Sequence, residues 1–246
     1  MKKSILPSIL TVLLLGTAVN AQNTDMKNRA YTSAKIKAEN GEANSQFALG
    51  GIYYQGIVTT RDYASAIKWF TKAAKQGHTK AEYNLAYMYF DGRGVPVDYK
   101  KALFWFTEAA EDDDTKSQLY LGRIYYEGLG TEQDYEEAFH WYKLVADQGY
   151  PKAQQIVGDM FRKGHGVKKD LKMAKVYLNK SAEQSCAEAQ YELAEMYVQG
   201  EAKEMSKEEF KEIVLNAYLN GSEDAKKIMD EHGWTAKDAG AHLPQE

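Results

Sequence analysis

The side chains in this chain with the means for catalysis or metal binding are five histidines, one cysteine, a short acidic run and three Gly-x-Gly turns. The turns Gly92-Arg93-Gly94, Gly128-Leu129-Gly130 and Gly164-His165-Gly166 look like fragments of a loop that cradles phosphate on backbone N–H groups. Such a loop ends in lysine followed by serine or threonine. None of these does, and all three recur at one interval, which marks them as turns between helices. His78, His140, His165, His232 and His242 show no metal-ligand spacing. Glu111-Asp112-Asp113-Asp114 offers oxygen ligands for calcium but lacks the long loop closed by a glutamate. Asp113 stands instead where a helix end needs left-handed backbone, which aspartate tolerates. Cys186 has no histidine or second cysteine beside it to activate its thiol. No catalytic residue, metal site or cofactor site is expected.

Composition narrows the classes further. Apolar residues make up 44% of the chain and prolines number four, which suits a globular fold and excludes disordered or collagen-like material. The formal charge is −4, a poor match for a nucleic-acid binder. Met1-Lys2-Lys3, the apolar run from Ile5 to Val19 and the small residues Val19 and Ala21 read as a signal peptide over residues 1–21. That run is short for a membrane span, so the expected product is periplasmic or secreted, with no membrane insertion.

What positions all of these residues is a repeat of 36 residues that never slips. Ser45-Gln46-Phe47-Ala48-Leu49-Gly50 aligns with Ala81-Glu82-Tyr83-Asn84-Leu85-Ala86 and with Ser117-Gln118-Leu119-Tyr120-Leu121-Gly122. Two further units start at Ala153 and Ala189, so the expected units are 45–80, 81–116, 117–152, 153–188 and 189–224. In each unit, positions one, five, eight, nine and twelve are apolar or small, which is helical spacing. Glycine closes that helix at Gly56, Gly92, Gly128, Gly164 and Gly200. Asp62, Asp98, Asp134, Asp170 and Ser206 then stand at the expected N-cap of a second helix. That helix carries Ala66, Ala102, Ala138 and Ala174, followed by Trp69, Trp105, Trp141 and Tyr177, the large side chains expected to wedge between successive hairpins. Residues 25–41 read as an N-terminal capping helix, and 225–246 as a C-terminal cap and tail.

The pattern A-x-x-x-L-G-x-x-Y-x-x-G-x-G-V-x-x-D-x-x-x-A-x-x-W-x-x-x-A-A-x-x-G resembles the Sel1-like repeat, a relative of the tetratricopeptide repeat, over roughly residues 45 to 221. The first unit departs at Ile57-Val58-Thr59. The fifth departs at Glu201-Ala202-Lys203 and at Phe210, Ile213 and Val214, as an end unit would. The resemblance implies an all-α, right-handed α-α superhelix, a solenoid of five helical hairpins with terminal capping helices. It also implies a noncatalytic adaptor that holds a protein or peptide along the first helices. Exported relatives include scaffolds and immunity proteins that neutralise a secreted toxin. The cysteine-rich relatives with β-lactamase-like activity staple each repeat with a disulfide, which a single cysteine cannot do.

Positions four, seven, ten and eleven of each first helix turn away from the expected core. The partner-binding residues expected there are Tyr54, Tyr87, Phe90, Tyr120, Arg123, Tyr126, Asp159 and Arg162. Aromatics beside arginine are the usual anchors of protein interfaces.

Overall fold

The computed structural model describes residues 29–57, 60–235 and 237–238. The expected signal segment 1–21, the start of the N-terminal cap, Val58-Thr59 and the tail from 239 lie outside the described residues. Among those described, the regular structure is entirely helical. The chain forms two compact units that divide between Asp114 and Thr115. The first holds helix α1 (29–39), α2 (Ala43–Gln55), α3 (Tyr63–Ala74), α4 (Thr79–Asp91) and α5 (Tyr99–Glu111). The second holds α6 (Thr115–Glu127), α7 (Tyr135–Asp147), α8 (Pro151–Lys163), α9 (Leu171–Ala182), α10 (Ala187–Val198), α11 (Lys207–Leu219) and α12 (Glu223–His232). Each repeat is a hairpin of two helices, and within a unit each hairpin packs on the next.

The helix ends follow from single residues. Asp62, Asp98, Asp134 and Asp170 each accept a backbone N–H from the first turn of the second helix. Ser206 does so in a complete capping box with Glu209. Gly56, Gly92 and Gly164 cap the first helices in left-handed backbone. The second glycine of the turn has a separate cause. A Cβ on Gly94 would lie 2.2 Å from the Cβ of Tyr63, and one on Gly166 only 1.8 Å from the Tyr135 carbonyl oxygen. The turn is glycine because the preceding repeat's second helix begins against it.

Hairpins end in left-handed backbone at Gly77, Gly149 and Gly221, and equally at Asp113 and Ser185, both with φ of 62°. Serine lacks glycine's ease in that region. Ser185→Gly should therefore raise stability by about 1 kcal/mol in a urea titration. A neutral or destabilising result would mean that the serine side chain compensates for its backbone.

The core corrects one expectation. The most deeply buried large residue of the second helix is the one after the expected wedge: Phe70, Phe106 and Leu178 are almost wholly buried. Trp69, Tyr177 and Tyr142 are buried too, whereas Trp105 and Trp141 are only half-buried. Phe106 falls on the same stripe as Ala102, Ala109 and Ala110, at intervals of three and four, while Trp105 sits at its edge. The fifth repeat is also better packed than its departures imply, with Phe210, Val214 and Leu215 buried and α12 covering α11. Gly233 ends α12 in left-handed backbone, and Trp234 folds back onto Phe210.

Position two of each first helix is a buried polar residue: Gln46, Glu82, Gln118, Gln154 and Gln190. Gln46, Gln154 and Gln190 donate from Nε2 to the carbonyls of Ala38, Ala146 and Ala182, at 3.1, 3.3 and 3.1 Å. Their Oε1 atoms accept from Gln76, Gln184 and Asn220 at 2.7, 2.9 and 3.0 Å. One amide thus joins the hairpin before to the hairpin it belongs to. Glu82 breaks this series: it is 3% exposed, and its Oε2 has no partner.

Candidate interaction site

The expected partner-binding residues divide between the units: Tyr54, Tyr87 and Phe90 in the first, Tyr120, Arg123, Tyr126, Asp159 and Arg162 in the second. Several of them turn out to join neighbouring repeats. Position ten of one first helix meets position thirteen of the next repeat, the residue just after its closing glycine, at a separation of 39 residues. Three such joints lie within a unit.

At the α2–α4 joint, Arg93 donates to the hydroxyls of Tyr54 and, at 3.2 Å, of Tyr87, and pairs with Asp91 at 2.6 Å. Its guanidinium carbon lies 5.8 Å and 5.0 Å from the two ring centres, within cation–π range. The hydrogen bond to Asp91 raises the Arg93 pKa further. At the α6–α8 joint, the Tyr126 hydroxyl lies 3.1 Å from His165 Nδ1, and His165 stacks on Tyr135 with centroids 4.4 Å apart. At the α8–α10 joint the cation has changed sides. Arg162 donates to Glu201 at 2.7 Å, Glu195 at 3.1 Å and Gln199 at 2.9 Å. Burial works against its charge, but the hydrogen bonds to Glu201 and Glu195 outweigh it and raise its pKa.

Arg162 is therefore not a solvent-facing anchor. It is 8% exposed, because position ten at the end of the first helix runs under the next repeat's turn. Phe90 is likewise turned inward, edge-on to Tyr99 and Phe106. Tyr87 is half-buried and stacked on Tyr83, and Tyr120 is half-buried. Arg123 is exposed and pairs with Glu127 at 2.9 Å; Asp159 pairs with Lys163 at 2.7 Å. Sequence reasoning missed Arg93, His165 and Glu201, the partners at position thirteen.

Tyr126 and Asp159 come together in an open groove of about 260 Å³ in the second unit, lined by Tyr126, Glu127, Tyr142, Gln155, Ile156 and Asp159. Its walls are the first helices α6 and α8, with Tyr142 contributed by α7. Arg123 borders it, joined to the lining residue Glu127. Burial raises the pKa of Tyr126 and Tyr142, so both stay neutral hydroxyls at physiological pH. Next to the groove, Gln155 donates from Nε2 to Oε1 of Glu192 on α10. Burial, and then the charge of Asp159, push the Glu192 carboxyl up to about 7.

Among the described residues no group of three or more His, Cys, Asp or Glu could hold a metal ion. Cys186 stands at the N-cap position of α10, with Sγ 3.4 Å from the Glu188 carboxylate. No described helix is long and apolar enough to cross a membrane. The groove lining combines the half-buried Tyr126, the largely buried Tyr142, one aliphatic side chain and several oxygen acceptors.

The Sel1 repeat model matches residues 43–78, 79–114, 115–150, 151–186 and 187–207. The secretory immunoglobulin A-binding protein EsiB of Escherichia coli is 41% identical over 73 residues, 30% of this chain and 14% of that protein. The crystal structure of c5321, a protective antigen of uropathogenic Escherichia coli with an SLR fold, superposes with a TM-score of 0.71 at 37% identity. That match covers 79% of this chain and 42% of c5321. The chain thus spans less than half the length of either relative. A Sel1 repeat protein from Oxalobacter formigenes gives a TM-score of 0.72 at 28% identity, covering 85% of this chain and 88% of its own.

Proposed function

Because this chain belongs to the Sel1 repeat family, whose members are for the most part protein-interaction scaffolds, we propose that it is a noncatalytic, exported adaptor that binds a protein segment on its first helices. The observation that carries this reading is the groove between α6 and α8. There Tyr126 and Ile156 present apolar surface beside hydrogen-bonding groups. A rigid array of hairpins presents such a surface without having to order itself on binding. EsiB, by its name, binds an immunoglobulin, a protein partner.

A photo-crosslinking residue at Ile156 tests the reading in the native host. A discrete protein adduct is expected from Ile156 and none from Val176, an exposed position on the second helix α9. The mature chain should be recovered outside the cytoplasm with Gln22 at its N-terminus. Equal labelling from both positions, or none from Ile156, would remove the groove as the binding surface. A retained Met1 would remove export.

A further inference from the structure

Two of the three joints within a unit are filled by the chain's own guanidinium. Arg93 lies between Tyr54, Tyr87 and Asp91, and Arg162 between Glu195, Gln199 and Glu201. The α6–α8 joint has no arginine in either place. Position ten is Tyr126 and position thirteen is His165, which is engaged with Tyr126 and Tyr135. The equivalents of Tyr87 and Asp91 are Asp159 and Lys163, and they are paired with each other.

This joint is left with acceptors and few donors. Gln155 lines the groove, is 8% exposed, and its Oε1 has no partner. The donors nearby are engaged: Gln155 Nε2 on Glu192, Lys163 on Asp159, and Arg123 Nε on Glu127. A buried carbonyl without a donor is costly, and a ligand that enters here gains by bringing donors. The Tyr126 ring favours a flat cation over a compact one.

We infer that the α6–α8 groove receives an arginine side chain of the partner protein, its guanidinium lying against Tyr126 and donating to Asp159, Glu127 and the Gln155 carbonyl. The partner thus supplies the guanidinium that the chain supplies for itself at the two other joints. Asp159 turns from Lys163 toward the incoming guanidinium, whose fork suits a carboxylate better than an ammonium does. The inference rests on the proposed adaptor function and names the chemistry of its partner.

The probes are three blocked pentapeptides, Gly-Ser-X-Ser-Gly, with X as arginine, its neutral isostere citrulline, or glutamate. They are titrated into the full soluble chain and followed by amide NMR. The arginine probe should shift resonances of Tyr126, Gln155 and Ile156, and the citrulline probe should bind at least about tenfold more weakly. Asp159→Asn should weaken the arginine probe by a similar factor, with the thermal melt unchanged. The corresponding Asp91→Asn variant, whose joint already holds Arg93, should leave probe binding unaltered. Equal binding of arginine and citrulline, preference for glutamate, or shifts confined to other surfaces would overturn the inference. If no probe binds while Ile156 still crosslinks a partner, the arginine site falls and the adaptor reading stands. Absence of both removes the two together.

Discussion

Phe106→Ala should lower the stability of the protein by about 3–5 kcal/mol, the range for truncating a buried aromatic. Phe106 is wholly buried and packs edge-on or tilted against Phe90 and Tyr83, at centroid distances of 6.1 and 6.0 Å. It lies on the stripe where α5 meets α4, and alanine would leave a cavity that two rigid helices cannot close. Trp105→Ala, one residue away, should cost only about 1–2 kcal/mol, because that ring is half-exposed and its loss opens onto solvent. Urea denaturation of both variants, monitored by circular dichroism, makes the comparison. A larger loss for Trp105→Ala would mean that the tryptophan, and not the phenylalanine, carries the joint.

Glu82→Gln should stabilise the protein above neutral pH and remove part of its pH dependence. Burial first, then the charges of Asp112 and Glu108, push the Glu82 carboxyl up to about 7 from its usual 4.5. Below pH 4.5 the group is protonated in both folded and unfolded chains, and its contribution is fully present. As pH rises toward 7 the unfolded chain releases the proton and the folded chain holds it, so stability falls. Above 7 both are ionised and the loss levels off at about 3 kcal/mol. Glutamine is what Gln46, Gln118, Gln154 and Gln190 already are at this position, and it does not titrate. By register its amide would face the Ala74 carbonyl, as Gln46 faces that of Ala38. Glu192, whose carboxyl is also raised, titrates in parent and variant alike, so their difference isolates Glu82. The account fails if the two proteins have equal stability at pH 8 or the same slope between pH 5 and 7.

The features legible in the sequence are those in which one residue decides one backbone conformation. Aspartate at an N-cap, glycine after a helix and aspartate at a left-handed hairpin end each act locally, and the unbroken period multiplies the signal. Burial by phase was less legible. Trp105 and Phe106 are both aromatic and differ by one step of about 100° around the helix, which a period cannot resolve without the neighbouring helix. The joints were hidden for another reason. Their partners stand one period and three residues apart, but the chemistry changes from Tyr54–Arg93 to Tyr126–His165 to Arg162–Glu201, so no motif recurs. A search for complementary side chains at that separation would have found all three. Helical phase alone places Arg162 in solvent, because phase carries no information about the adjoining turn that covers it.

Unlike joints make the repeats unable to stand in for one another. In an array of identical hairpins, a repeat can be lost or gained by recombination, or can pair one place out of step during folding, with every contact restored. Here, excision of residues 151–186 would set Tyr126 against Glu201 and leave Glu195 without its arginine. Duplication of the same segment would bring Arg162 of the first copy against His165 of the second, far from the carboxylates it needs. Each error is marked by a charge without a partner. The alternation of chemistry from joint to joint therefore serves as an address system that holds both the number and the order of the hairpins.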